Sequence, residues 1–268
     1  VYLVYGYDDF DQAFQNDITR DKSLSCHSSS CDGLWNREHV YPKSLANPSL
    51  STSFPGPGTD VHNLRSCDYV TNTYRGNRKF GPGNGTAGVT NDGYWYPGDE
   101  WKGDIARMMM YMYLRYPNQC LATDVGTGLS SFSPQGDIPD IFLMWNADDP
   151  VSPFEINRNN IIATYQGNRN PFIDNPYLAT AIWSGPAADN PWGPLSIDFH
   201  IIKNYKITVT RERTLLVNSD HDLDLKLYDV NGRLVLETHS NLILLNALDT
   251  GIYYLKIEND QVEKIVIF

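Results

Sequence analysis

What this sequence lacks sets its first limits. No uninterrupted apolar run approaches the roughly 18–20 residues that a membrane-spanning helix needs; the densest, Met108 to Leu114, is seven residues long, so no membrane span is expected. Basic side chains are scarce as well. The 21 Lys and Arg stand against 32 Asp and Glu, for a formal charge of −11. That excludes a partner held mainly by a broad basic face, because neutralising phosphates takes clustered cations. Cysteines number only four. Cys26, Cys31, Cys67 and Cys120 suit two disulfides in an oxidising compartment, with three possible connectivities, or free buried thiols. Cys26, Cys31 and Cys67 also lie near His27, His39 and His62, so a zinc site is a rival reading, without regular ligand spacing to support it.

What is present belongs to a folded protein. Apolar residues make up 41% and charged residues 20%, and 17 Tyr and 6 Trp make the chain rich in aromatics, so disorder is excluded on composition. Val1-Tyr2-Leu3-Val4-Tyr5 reads as a strand at once, so the chain is expected to start downstream of its natural beginning, without a signal peptide. The first two-thirds is loop-rich, with irregular stretches at Ser44–Gly58 and Gly81–Gly98 of the kind that usually serve function or are stapled down. Two helices stand out. Asp104 to Tyr116 sets Ile105, Met108, Met109, Met112, Tyr113 and Tyr116 on one apolar face before Pro117 stops it. The second starts at Ser152 as N-cap, with Glu155 completing a capping box, and runs to Gln166, where Gly167 supplies a left-handed stop.

Around Pro186–Pro194 the composition turns to Gly, Pro and Asn, and short alternating strands follow. Leu223, Leu225 and Leu227 alternate with polar residues, Asn231-Gly232 reads as a two-residue hairpin turn, and Leu234-Val235-Leu236 returns. Leu242–Leu245, Ile252–Ile257 and Ile265–Phe268 add strands, with Asn259-Asp260 as a further turn. The expected organisation is therefore two domains, residues 1–194 and 200–268, the second a small antiparallel β-sandwich without visible chemistry.

The chemistry concentrates before the break. Asn36-Arg37-Glu38-His39-Val40-Tyr41-Pro42 sets a carboxylate beside an imidazole; strand alternation sends the two to opposite faces unless the strand ends there. Downstream lie Asp60-Val61-His62-Asn63-Leu64-Arg65, then Val70-Thr71-Asn72-Thr73-Tyr74-Arg75-Gly76-Asn77, Ile105-Ala106-Arg107 and Gln166-Gly167-Asn168-Arg169-Asn170-Pro171-Phe172. Arg65, Arg75, Arg78 and Lys79 fall close together as a candidate anion-attracting patch. The Asp148-Asp149-Pro150 stretch is more simply a helix entry than a catalytic carboxylate pair.

Those five motifs in that order make residues 1–185 resemble the endonuclease I family of periplasmic and secreted nucleases. The resemblance implies an α+β fold: a ββα-metal nuclease core with extra helices and long loops. It makes His39 the general base and Glu38 a metal ligand together with Asn72 on the core helix. Each role suits its residue, since imidazole titrates near neutrality and a hard cation prefers oxygen ligands. The implied cofactor is Mg²⁺, with Ca²⁺ or Mn²⁺ as alternatives, and the implied partners are DNA and RNA, cut without sequence preference to 5′-phosphate products. Arg65 and Arg75 are candidates to hold phosphates, and Asn63, Arg78 and Asn77 to support binding. His62 reads as a supporting or phosphate-contacting residue, whereas for Arg107 and Arg169 bonding to helix ends or carboxylates is favoured. Two features depart from the family: Ser44–Gly58 contains no arginine, so a transition-state stabiliser is unassigned, and no helical segment precedes Val1.

The C-terminal piece, through Leu227-Tyr228-Asp229-Val230-Asn231-Gly232-Arg233, Leu248-Asp249-Thr250-Gly251-Ile252-Tyr253-Tyr254 and Lys264-Ile265-Val266, is similar to the sorting domain of the type IX secretion system. It departs at Asn204-Tyr205-Lys206-Ile207, which replaces the usual Tyr-Pro-Asn-Pro. Export across the outer membrane of a Gram-negative cell follows from that resemblance, with the secretion machinery as a partner, a monomer as the working unit, and extracellular nucleic acid as the target. The rivals are a non-catalytic surface module that binds glycans, and a metal phosphodiesterase acting on small substrates.

Overall fold

A computed structural model describes residues 1–8, 10, 16–28, 31–193, 206–210, 212–219, 221–257 and 261–267. The chain divides into two compact units, Val1–Leu195 and Ser196–Phe268. Their secondary structure is mixed helix and small antiparallel sheets, an α+β organisation.

The first unit opens with β1 (Trp35–His39), which pairs antiparallel with β2 (Leu64–Asp68), so that Glu38 faces Arg65 and His39 faces Leu64. The helix α1 (Tyr69–Arg75) follows β2 without a loop; Asp68 caps it by accepting a hydrogen bond from Thr71 N at 2.9 Å. A short ladder, β3 (Gly88–Val89) with β4 (Trp95–Tyr96), precedes α2 (Lys102–Arg115) and α3 (Ala122–Val125). Then come α4 (Asp140–Asp148), α5 (Pro153–Gln166), α6 (Pro171–Asp174) and α7 (Tyr177–Trp183).

The helix expected from Ser152 is α5, complete with its reciprocal capping box and Gly167 in the left-handed region at φ +80°. The helix expected over 104–116 is α2, but it is not one-faced. Gly103 through Met112 are all buried, so α2 is wrapped on every side, the mark of a central rather than a surface helix. Its polar residues are matched in place: Asp104 accepts from Arg65 Nη1 at 2.8 Å, and Arg107 grips both carboxylate oxygens of Glu155 at 2.9 and 2.5 Å. Around α2 lies a core of Val40, Tyr41, Phe80, Phe142, Trp145 and Phe172.

Two expectations at the start are corrected. Val1–Tyr5 is not a strand: only isolated bridges join Tyr2 to Thr19 and Val4 to Cys67. Tyr5 adopts φ +70°, which a bulky side chain occupies rarely and which breaks extended pairing. Of the cysteine alternatives, two disulfides are corrected to one, Cys26–Cys31, while Cys67 and Cys120 are the buried free thiols that the sequence left open.

The second unit has β5 (Lys206–Val209), β6 (Thr214–Asn218), β7 (Leu225–Tyr228), β8 (Leu234–Thr238), β9 (Leu242–Leu244), β10 (Gly251–Ile257) and β11 (Gln261–Ile267). They form two antiparallel sheets, ordered β11-β10-β7-β8 and β5-β6-β9. Leu215, Val217 and Ile243 of one sheet bury against Leu225, Leu227, Leu255 and Ile265 of the other, as a sandwich requires. The Asn231-Gly232 turn is wider than two residues. Asp229 N bonds Arg233 O at 2.9 Å and the Asp229 carboxylate accepts from Asn231 N and Arg233 N, beside a register shift at Leu227/Tyr228. The turn read at Asn259-Asp260, the residue Phe268 and the motif residues Asn204-Tyr205 lie outside the described residues.

Candidate active site

A cleft of about 1270 Å³ in the first unit is walled by Ser25 to His27, β1, both ends of the 40–63 crossing (Pro42 to Ser44, Gly58 and Thr59) and α1. The pleat of β1 sorts its side chains. Asn36 and Glu38 turn toward α1: Asn36 Oδ1 accepts from Asn72 Nδ2 at 2.8 Å, and Glu38 Oε1 sits 3.3 Å from Arg75 Nη1. Arg37 and His39 take the alternate face. Because β1 ends at His39, the cleft reaches both neighbours, and Glu38, His39, Asn72, Arg75 and Asn77 all line it.

Glu38 is buried, and its Oε1 takes both protein contacts, from Arg75 and from the Tyr5 hydroxyl at 3.1 Å. Its Oε2 is left to the cleft. Burial pushes the carboxyl up to about 7 against the opposing pulls of Arg75 and the Tyr5 hydrogen bond, so the charge is under-compensated by the protein alone. Asn72 donates its amide N–H to Asn36 and to Arg37 O at 3.4 Å, which leaves the amide oxygen as its unspent acceptor.

His39 Nε2 lies 2.9 Å from the carbonyl oxygen of Gly58. A carbonyl can only accept, so the neutral ring carries its proton on Nε2 and its lone pair on Nδ1. Burial holds this imidazole below the usual histidine value; the Gly58 carbonyl opposes that, while the charges of Lys43 and Arg37 push it further down. The net effect favours the neutral ring.

Gly58 is itself held from a distance. Asp60, two residues on, is buried and accepts from His62 N at 2.9 Å and, at 2.8 Å each, from Tyr111 and Tyr116 hydroxyls and Gln166 Nε2. It anchors the end of the crossing to α2 and α5.

The sequence model described as endonuclease I matches residues 1–177. The chain belongs to the endonuclease I family. A second model, described as a secretion system C-terminal sorting domain of the type IX kind, matches residues 195–268. The extracellular ribonuclease of Bacillus subtilis (strain 168) is 43% identical over 164 residues, 56% of this chain and 54% of its own length. That of Bacillus amyloliquefaciens is 39% identical over 192 residues, 65% and 64% respectively. The chain thus spans less than two-thirds of the length of these curated relatives.

In this endonuclease I family member several expected site residues stand elsewhere. Arg65 does not line the cleft; it is buried in an ion pair with Asp104, its guanidinium 4.9 Å from the Trp101 ring and 5.0 Å from that of Phe154. Arg75 does reach the cleft wall but spends its donors inward, on Glu38, on His39 O and on Val40 O at 2.7 Å. It positions Glu38 and the strand end. Arg78 folds back on the Tyr74 and Arg75 carbonyls, and Lys79 Nζ donates to Thr123 O at 3.0 Å, so the expected basic patch is consumed by internal partners. His62 is fully buried against the Tyr111 ring, its Nε2 3.3 Å from Asn168 O. Asn63 clasps the backbone of Tyr41, accepting from its N–H at 2.7 Å and donating to its carbonyl at 3.3 Å. Asn77 bonds Ser44 Oγ at 3.2 Å across the cleft rim. Arg107 and Arg169 make the internal pairs the sequence favoured, with Glu155 and Asp174. Asp149 accepts from Gly103 N at 2.8 Å at the start of α2.

Sequence reasoning missed Tyr5, Gly58 and Asp60 as positioning residues. Tyr5 arrives from 33 residues away in a rare backbone conformation, and no local pattern signals that. Among the described residues no three His, Cys, Asp or Glu side chains gather as a metal cage, so the zinc reading gains no support.

Proposed function

We propose that this protein is an exported, Mg²⁺-dependent endonuclease that hydrolyses RNA and DNA without sequence preference, leaving 5′-phosphate ends. The observation that carries the reading is the pairing, on one cleft, of a tautomer-locked neutral histidine with a buried carboxylate whose second oxygen is unspent.

The donor set fits a hard cation. Glu38 Oε2 and the Asn72 amide oxygen are both oxygen ligands, with no thiolate beside them, and two protein ligands leave the remaining positions to water and phosphate. A cation there would also relieve the under-compensated charge that raises the Glu38 carboxyl to about 7. When bound, it supplies charge neutralisation at the phosphate and the leaving 3′ oxygen. His39 takes a proton from water at Nδ1 while the Gly58 carbonyl stabilises the imidazolium through Nε2–H. The water oxygen bonds to phosphorus and the 3′ oxygen departs with the bond's electron pair, which leaves the phosphate on the 5′ side of the cut. Arg75 and Tyr5 hold Glu38 in place throughout.

The ββα-metal arrangement is the corresponding fold reading, with β1, β2 and α1 as its parts. The sorting-domain match at residues 195–268 supports delivery through the type IX machinery, and the Cys26–Cys31 disulfide suits an oxidising compartment. The test is digestion of plasmid and of single-stranded RNA with Mg²⁺, Mn²⁺ or Ca²⁺, with and without a chelator. Cutting should require a cation and fall by roughly 10²–10⁴-fold in His39→Ala. Undiminished cutting in chelator, or by a folded His39→Ala protein, overturns the reading.

A further inference from the structure

Arg65, Arg75, Arg78 and Lys79 are all committed to internal partners. Two other cationic side chains are not. Arg37 and Lys43 are exposed, both line the cleft, and among the described residues neither guanidinium nor ammonium meets an ion-pair or hydrogen-bond partner. Unpaired surface cations contribute little to folding. In a chain of formal charge −11 they also work against the long-range field, which repels polyanions. A polyphosphate substrate needs local positive charge where it touches, and these are the cleft's two cations without partners.

Their placement is specific. The β1 pleat puts Arg37 on the same face as His39, two residues and so about 7 Å along the strand. Lys43 opens a 3-10 turn at Lys43–Leu45, four residues past His39. The intervening backbone is pinned by Asn63 on Tyr41 and by Arg75 on Val40. His39 therefore lies between the two in the chain, with both close enough for their charge to act on its ring.

We propose that Arg37 and Lys43 are the substrate-binding cations of this cleft, each holding a phosphate that flanks the one attacked. This deepens the nuclease reading and rests on it. Arg37 can grip two phosphate oxygens with its planar fork, and Lys43 acts as a point charge. The substrate class that satisfies both is a polynucleotide with phosphates on each side of the cut. A single dinucleotide diester would leave both cations idle.

The test is the salt dependence of binding, which reads phosphate contacts directly. A labelled 20-nucleotide single strand is titrated with full-length His39→Ala protein in chelator across monovalent salt. Arg37→Gln and Lys43→Gln are compared in that background, with Lys102→Gln, away from the cleft, as control. Each cleft variant should weaken binding on the order of tenfold. Each should also reduce the slope of log K against log salt by about 0.7, the single-strand value for one phosphate. In the His39-intact protein the same changes should raise KM for the polymer far more than for a dinucleotide diester, and any shift in the pH profile of kcat, from the loss of their charge beside His39, should be common to both substrates. Because both side chains are exposed, melts should be unchanged. If the wild type cuts nucleic acid but both single variants and their double keep its affinity and slope, the proposal is overturned while the nuclease reading stands. If the wild type cuts nothing, the nuclease reading falls; if the His39→Ala protein binds no strand either, so does this one.

Discussion

Gly58→Ala should disable the enzyme without touching a side chain of the site. The Gly58 carbonyl is the group that aims His39, accepting from Nε2 at 2.9 Å. A Cβ built on Gly58 would lie 2.1 Å from Ser51 O and 2.8 Å from Ser51 C, both backbone atoms that cannot rotate away. Ordinary contact begins near 3.4 Å, so the two segments must part by about 1.3 Å. If each gives half, the carbonyl shifts by roughly 0.6 Å, and a shift directed away from Nε2 would stretch the 2.9 Å bond to about 3.5 Å, the edge of hydrogen-bond range. The ring then loses both its orientation and the partner that fixes its tautomer. A misplacement of about 1 Å at a reacting group costs on the order of 10²-fold in rate, so kcat should fall roughly 30- to 100-fold, with KM little changed because the proposed phosphate contacts, Arg37 and Lys43, are untouched. Overpacking should cost about 1–3 kcal/mol of stability. Gly56→Ala is the internal control, since a Cβ there meets nothing within 4 Å. The assay is initial-rate cleavage of a labelled oligonucleotide in Mg²⁺, alongside thermal melts of both variants. A folded Gly58→Ala protein with wild-type kcat refutes the claim that this carbonyl aims His39 for the proposed reaction.

Arg75→Met should unfold more readily, by up to about 3–5 kcal/mol, because it strands the buried Glu38 carboxylate; denaturant melts measure this, and the loss falls short of that bound if Glu38 takes up a proton. His62 gives a pH signature. Burial holds its imidazole below the usual value, opposed by the Asn168 carbonyl and Asp60, with Arg158 and Arg115 adding to the depression. Below about pH 6.5 the unfolded chain binds a proton that the folded chain refuses, so stability falls with pH down to the folded value. Melts of His62→Gln from pH 7 to 5 should show a flatter decline than wild type, and parallel curves would remove His62 from the account.

Some of this architecture was legible because its determinants are local. The capping box Ser152/Glu155 and the Gly167 stop are satisfied within a turn of themselves, and α5 has those limits. The break before residue 196 and the alternating leucines of β7 are equally local, and the two sheets follow from them. The helix α2 was legible as a helix but not as one buried on every side. An apolar stripe of Met and Tyr looks the same on a surface helix as on one whose opposite side carries Asp104 and Arg107. Only the distant Arg65 and Glu155, which neutralise those charges, make full burial possible. The same ambiguity governs the cations. Arginines near one another in sequence suggested a phosphate patch, yet Arg65 points into the core and Arg78 turns back on its own helix. Nothing in local spacing separates them from Arg37.

The geometry of the cleft is set from farther away than its residues suggest. The 40–63 crossing has little regular structure of its own, only the 3-10 turns at Lys43–Leu45 and Val61–Asn63. A free segment of that kind could not hold a carbonyl steady against an imidazole, since ordering each residue costs about 1–2 kcal/mol in backbone entropy. Asp60 supplies what the segment lacks: its carboxylate is bound by two tyrosines from the α2 region and a glutamine from α5. Arg158 of α5 adds bonds to Val61 O at 2.6 Å and Leu64 O at 2.8 Å. The all-round burial of α2 makes it a rigid post, the Asp60 carboxylate is the clamp on it, and Gly58 stands two residues from that clamp. The position of the His39 ring therefore depends on the helical core, through Asp60 and the crossing it clamps, and not on the two adjacent residues Glu38-His39 alone.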